Sequence, residues 1–138
     1  MGPRIFISFA QEDLRYRDLL VGQMRMRDAP FVFSDMSLQE PFDSKWKTQC
    51  REKIEGCHGF IALLSKKTWR AQGARWEMAC AGEEGLPRLG VHIHRNDKGA
   101  VPPELGRTRV IEWNHDGIAK FVERVNKKRP WPGRVFDF

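Results

Sequence analysis

The sequence has little cysteine and no long apolar run. Its three cysteines, Cys50, Cys57 and Cys80, cannot all pair within one chain and form no C-x-x-C motif. This excludes a disulfide scaffold and a zinc ribbon and favours a reducing cytoplasm. No apolar run approaches the roughly 20 residues that a membrane span needs. Residues 1–4 lead into a short apolar run without a signal-peptide pattern, so we expect a cytoplasmic protein without a membrane partner.

Signatures of nucleotide and nucleic-acid binding are also missing. The chain has no G-x-G-x-x-G motif, no P-loop, no internal repeat and no low-complexity segment. Its net charge of +6 is compatible with anionic partners of any kind. No zinc-finger, RRM or basic-zipper pattern accompanies that charge, so a nucleic-acid partner is not expected.

The length of 138 residues predicts one domain. We place this domain at residues 1–128, followed by a C-terminal tail at residues 129–138. The tail contains three aromatic residues and is expected to pack on the domain.

Five short apolar runs alternate with segments of helical periodicity. The runs predict strands over residues 4–9, 31–35, 58–64, 87–94 and 107–113. Such an alternation predicts an α/β protein with a five-stranded parallel sheet and helices on both faces. Among the topologies that right-handed crossovers allow, the flavodoxin-like order 2-1-3-4-5 is the commonest at this size.

Helix boundaries are indicated by capping residues. Asp13, Ser44 and Asn114 are the predicted N-caps of the first, second and last helices. Pro30 is expected to close the first helix and Gly56 to end the second.

Residues at the carboxyl ends of the strands, where ligands of such sheets bind, exclude two common users of this architecture. A response-regulator receiver needs an aspartate after strand three and a lysine after strand five, where this chain has Ser65 and Trp113. A flavodoxin needs a phosphate-cradling loop after strand one, whereas residues 8–13 contain two acids and no glycine.

Three motifs, in chain order, resemble those of a TIR domain. Residues 5–9 with the acidic turn after them resemble its first strand, and residues 31–35 with the polar loop after them resemble its second strand and BB loop. Residues 60–65, Trp69 and residues 75–77 resemble its third strand, the following loop and its catalytic helix. The resemblance covers about residues 4–126. It is nearest to the TIR-like group that includes the ThsB proteins of Thoeris antiphage defence.

This resemblance implies an enzyme that cleaves the nicotinamide–ribose bond of NAD, with Glu77 as the catalytic glutamate. NAD is then the substrate, and no cofactor or metal is expected. The implied product is an ADP-ribose-type signal nucleotide, linear or cyclic, that a separate effector protein senses. Self-association through TIR surfaces is also implied. The residues expected to bind the substrate are Ser8, Phe9, Ala10, Asp35, Met36, Ser37, Trp69 and Trp76.

A single carboxylate is sufficient for this reaction. Ordinary glycosidases need two, because one of them must protonate the leaving group. Nicotinamide leaves NAD as a neutral molecule from a cationic pyridinium, so no general acid is required. On charge alone, Lys66, Lys67 and Arg70 are candidates to neutralise the diphosphate.

Other interpretations of these residues stay open. The chain is alternatively a non-catalytic TIR-type scaffold that associates through residues 36–43, or a nucleoside-transferring enzyme of related architecture that acts on deoxynucleosides. A glutamate within a helix is most often a solvated surface residue, and tryptophans such as Trp69 and Trp76 more often serve packing. His92 and His94 share one side of a strand, but no third or fourth metal ligand stands near them.

Overall fold

Five parallel strands form the sheet of the computed structural model, which describes residues 2–27, 31–36 and 42–128. The strands are β1 (Arg4–Ser8), β2 (Val32–Ser34), β3 (Gly59–Leu64), β4 (Arg88–His92) and β5 (Arg109–Glu112). The helices are α1 (Leu14–Met26), α2 (Ser44–Glu55), α3 (Gln72–Glu83) and α4 (His115–Lys128). The strand order β2-β1-β3-β4-β5 confirms the predicted flavodoxin-like topology. The tail at residues 129–138 and the predicted helix stop at Pro30 lie outside the described residues.

The central strand β3 is buried along its whole length, as its unbroken apolar sequence predicts. It pairs with β1 in the register Ile5↔Gly59 to Ser8↔Ala62 and with β4 on its other side. A strand covered by helices on both faces has no solvent side, so its apolar and polar residues do not alternate.

Alternate residues of each strand face two separate cores. Ile5 and Ile7 of β1 pack with α1 and α4 on one face of the sheet. Phe6 belongs to the core that α2 and α3 form on the other face. Ser8 follows Phe6 by two residues and therefore points toward the same face as Phe6. This alternation places a polar side chain of β1 beneath α3.

Side-chain capping differs from the sequence prediction at two of the three helices. Asp43, not Ser44, caps α2, because its side chain accepts a 2.9 Å hydrogen bond from the backbone N–H of Trp46. Asp13 is the N-cap residue of α1, as predicted, but its side chain makes no cap hydrogen bond, since its buried carboxylate accepts a 2.6 Å hydrogen bond from Ser65. The prediction for Asn114 is confirmed by its 3.0 Å bond from the N–H of Gly117.

Other helix boundaries agree with the sequence. Gly56 is the C-cap of α2, as predicted. The four helices have 12 to 14 residues each. Within the described ranges, none of them is long and apolar enough to cross a membrane.

Candidate active site

A cavity of about 300 Å³ lies at the carboxyl ends of β1 and β2, the edge where parallel α/β sheets bind ligands. Its wall comes from the turns after β1 and β2, the start of α2, and the segment that leads into α3. The lining residues are Ile7, Phe9, Gln11, Glu12, Asp35, Met36, Phe42, Trp46, Arg70, Ala71, Gln72, Gly73, Ala74 and Glu77.

Glu77 lies in the wall of this cavity with its side chain almost fully buried, at 6% exposure. Two other elements hold its carboxyl group. From β1, the hydroxyl of Ser8 donates a 2.7 Å hydrogen bond to Oε1 and also lies 3.3 Å from the carbonyl oxygen of Ala74. From α2, the thiol of Cys50 donates to Oε2 at 3.8 Å. The carboxyl group is therefore fixed by the packing of three elements.

Burial raises the pKa of Glu77 to about 8. The hydrogen bonds from Ser8 and Cys50 and the positive charge of Lys53 act in the opposite direction, and the negative charge of Asp35 adds to the rise. A carboxyl group with this pKa is mostly protonated at neutral pH and ionises in mildly alkaline solution. A bound cation would stabilise its ionised form.

Asp35 is a second carboxylate in the cavity wall and is held from behind by Arg17. The guanidinium Nη1 of Arg17 donates to Oδ2 of Asp35 at 2.8 Å. The same guanidinium lies over the rings of Phe9 and Phe33, 5.7 and 5.3 Å from their centroids. Burial raises the pKa of Asp35, although Arg17 and Lys53 counteract it. Asp35 is thus a positioned acid at the end of β2.

The structure brings several of the predicted site residues to the cavity. Glu77, Phe9, Asp35 and Met36 line it. Ser8 does not line it but contacts the Glu77 carboxyl directly.

Ala10, Trp69 and Trp76, which were also expected to bind the substrate, are not among the residues that line the cavity. Ala10 is buried in the turn after β1, where its carbonyl accepts from the N–H of Asp13. Trp69 is 46% exposed. Ser37 lies outside the described residues.

Each of these tryptophans packs against an arginine instead. The guanidinium of Arg75 covers the ring of Trp69 at 4.6 Å from its centroid. The Trp76 ring meets Trp46 edge to face at 5.7 Å and has Arg51 above it at 5.5 Å. These contacts hold Trp76 against α2 and Trp69 against Arg75 of α3.

An aromatic wall was missed by the sequence interpretation. Trp46 and Phe42 line the cavity and contact each other edge to face, with their ring centroids 5.1 Å apart. The spacing of Trp46 with Cys50 and Ile54 correctly predicts a buried helix face, and all three are in the core. Helical periodicity does not predict that Trp46, in the first turn of α2, also lines the cavity.

Charges in the wall are unevenly distributed. Glu12, Asp35 and Glu77 are acidic, and Arg70 is the one basic residue among the described lining residues. The first turn of α3 adds partial positive charge, because its N-cap residue Ala71 makes no side-chain cap hydrogen bond.

Nothing in the described ranges forms a metal centre: no group of three or more His, Cys, Asp or Glu side chains there is placed to hold an ion. The ring of His94 instead meets Tyr16 edge to face at 5.2 Å. Burial lowers the pKa of His92.

Comparison with known proteins identifies a family and a set of similar folds. The family described as "Thoeris protein ThsB, TIR-like domain" matches residues 6–98. No curated protein sequence matches the chain.

Three solved structures show the same fold at low sequence identity. A prokaryotic SEFIR domain has a TM-score of 0.56 at 16% identity, with 94% of this chain and 95% of that chain covered. A diflavin flavoprotein from Nostoc sp. has a TM-score of 0.54 at 15% identity, with 91% and 90% covered. A 3-dehydroquinate dehydratase-like protein from Bifidobacterium longum has a TM-score of 0.52 at 16% identity, with 92% and 97% covered.

Proposed function

The chain belongs to the family of the TIR-like domain of the Thoeris protein ThsB, and from that membership we propose that it cleaves the nicotinamide–ribose bond of NAD. One observation carries the proposal: the glutamate that the TIR resemblance designates as catalytic lies buried in the wall of the cavity at the carboxyl edge of the sheet. A surface glutamate of the same helix, such as Glu83, has no such surroundings.

The acidic wall suits the chemistry of this substrate. NAD carries a positive charge on its nicotinamide ring, and positive charge moves to the ribose as the glycosidic bond breaks. Glu77, ionised, would stabilise that oxocarbenium-like ribose from a fixed position. A preorganised group of this kind contributes roughly 3–4 kcal/mol when it acts in a site that excludes water. Nicotinamide departs neutral, so no second carboxyl group has to supply a proton.

The product depends on the nucleophile that attacks the ribose. Water would give ADP-ribose, whereas a nitrogen of the substrate's own adenine would give a cyclic nucleotide if the site folds the dinucleotide and excludes water. In this proposal the product is a signal in antiphage defence that activates a separate effector protein in the cytoplasm. The enzyme acts as a self-associated assembly.

Mass spectrometry of the small molecules formed from NAD tests the proposal. Concentrated protein, which allows self-association, is incubated with NAD at pH 8.5, beside a sample of Glu77→Gln. We expect nicotinamide and one ADP-ribose-type product from the wild type only. Absence of nicotinamide from concentrated and phage-activated wild type alike would overturn the proposal.

Two further arms separate the alternatives. Cleavage of deoxynucleosides without cleavage of NAD would indicate a nucleoside-transferring enzyme. Loss of self-association on Phe42→Ala, with Glu77→Gln behaving as wild type in every assay, would indicate a scaffold. Phe42 is suited to this arm because it belongs to the segment at residues 36–43 and is 40% exposed.

A further inference from the structure

Arg70 differs from the other arginines near the cavity because its guanidinium makes no ion pair or hydrogen bond with the described residues. Its exposed guanidinium has no ion-pair or hydrogen-bond partner within residues 2–27, 31–36 and 42–128. Arg17 is bonded to Asp35 at 2.8 Å, and Arg75 is bonded to Glu104 at 2.8 Å. Of these three side chains, Arg70 alone lines the cavity.

The structure also separates the three basic residues that the sequence presents together. Lys66 is ion-paired with Asp97. Lys67 is exposed and does not belong to the cavity wall. Arg70 is in the wall, at the end of the 3-10 turn Thr68–Arg70 that leads into α3. Only Arg70 is therefore placed to meet a ligand in the cavity.

Arg70 and Glu77 line the same cavity. Arg70 ends the 3-10 turn Thr68–Arg70, and Glu77 lies in the second turn of α3, so the two side chains line the cavity from successive elements. In a substrate whose glycosidic bond lies at Glu77, the phosphates are several bonds away from that bond, and Arg70 is the basic side chain in the described cavity wall that is placed to meet them.

The size of the cavity supports this orientation. Its 300 Å³ is at the lower end of the roughly 300–1,000 Å³ of small-molecule sites. Such a space accommodates a nicotinamide riboside moiety rather than a whole dinucleotide. The diphosphate then lies at the mouth, where the exposed Arg70 supplies a positive charge.

We propose, on the premise of the proposed function, that Arg70 binds the diphosphate of the substrate and makes the site selective for a dinucleotide over the bare nucleoside. A guanidinium is well suited to this task, because its planar fork donates two parallel hydrogen bonds to phosphate oxygens. A lysine supplies the charge without that geometry.

Binding of ADP-ribose, measured by calorimetry, tests the assignment without requiring catalysis. Arg70→Met is compared with Lys67→Met, which removes an equal charge three residues away and outside the wall. We expect Arg70→Met to weaken binding at least tenfold, Arg70→Lys to recover part of the loss, and Lys67→Met to stay within twofold of wild type. Equal affinities of Arg70→Met and Lys67→Met, or no binding of ADP-ribose by the wild type, would overturn the assignment.

Kinetics with two substrates distinguish this assignment from the proposed function. For NAD we expect Arg70→Met to raise KM at least tenfold with little change in kcat, and for nicotinamide riboside to change neither. Equal losses on both substrates would show a structural role and refute the assignment while the proposed function stands. If neither substrate is cleaved by the wild type, the proposed function fails, and the ADP-ribose measurement decides the role of Arg70.

Discussion

The hydroxyl group of Ser8 on β1 donates a 2.7 Å hydrogen bond to the carboxyl of Glu77 on α3, across 69 positions of sequence. Ser8 is fully buried, and the strand pairing of β1 with β3 fixes its position. The central sheet thus holds the side chain on which the proposed chemistry depends.

Replacement of Ser8 by alanine is expected to move the pH dependence of activity. The hydrogen bond from Ser8 lowers the pKa of Glu77, so its loss raises that pKa further above 8. The rising limb of the pH–rate profile should shift to higher pH, and the protein should lose about 1–3 kcal/mol of stability. Thr48→Ala, which removes an exposed hydroxyl on α2, is the control and should leave the pH profile unchanged. An unshifted limb in Ser8→Ala would show that Glu77 does not govern the profile.

Stability should fall as Glu77 ionises. Its pKa is about 8 in the folded protein against an ordinary value of 4.5. The folded state therefore holds a proton that the unfolded state releases, and the stability this supplies is complete below pH 4.5 and is lost as pH rises through 8. Each pKa unit corresponds to about 1.4 kcal/mol, so the loss amounts to several kcal/mol.

Denaturant unfolding of wild type and Glu77→Gln at pH 5, 7 and 9 measures this effect. Glutamine cannot ionise, so the variant should gain stability relative to wild type as the pH rises. A stability difference that stays constant across this range would contradict the raised pKa.

The cap of α2 gives a matched pair of substitutions. Asp43→Ala removes the acceptor of the Trp46 N–H and should cost about 1 kcal/mol. Ser44→Ala changes the adjacent residue, whose side chain caps nothing, and should stay within about 0.5 kcal/mol of wild type. Thermal unfolding of the two variants measures the difference. The reverse ranking would place the cap at Ser44.

Alanine substitutions at two glycines with positive φ distinguish the cost of backbone strain from the cost of steric crowding. Gly85 and Gly99 both have φ of 73°, but a Cβ at Gly85 meets nothing within 4 Å. A Cβ at Gly99 would lie 2.8 Å from the Cα of Lys66. Gly85→Ala should cost about 1–2 kcal/mol, the penalty of the left-handed conformation alone. Gly99→Ala should cost more, because the loop after β4 must also move away from the loop after β3; equal losses would show that these loops are not tightly packed.

Much of the fold follows from local pattern, and the details of the site do not. Alternating apolar runs and helical periodicity were sufficient to predict the order of the elements along the chain, and the uninterrupted run at residues 58–64 predicted the buried central strand. The order of the strands in the sheet also required the right-handed crossover rule and the commonest topology at this size. Asp13 and Asp43 are both N-cap residues, yet only the side chain of Asp43 accepts a hydrogen bond from its helix. The carboxylate of Asp13 accepts a hydrogen bond from Ser65 instead. These residues are 52 positions apart, so no local sequence pattern predicts their contact.

The tryptophans show the same limit. The TIR resemblance implied that Trp69 and Trp76 bind the substrate, but neither of them lines the cavity. Trp76 follows Arg75 and precedes Glu77 on α3, and consecutive helical residues point about 100° apart, so it packs on α2 while Glu77 turns to the cavity. The indole that does line the cavity, Trp46, comes from another element, and its placement depends on how α2 packs against α3.

The rate of nicotinamide release from NAD by Glu77→Gln and Glu83→Gln tests the central claim most directly. Both substitutions neutralise a glutamate of α3, but Glu83 is on the surface and paired with Arg51. At pH 8.5 we predict that Glu77→Gln is about 100- to 1,000-fold slower than wild type and that Glu83→Gln is within twofold. Equal rates for the two variants would contradict the assignment of Glu77 as the group that acts on the ribose.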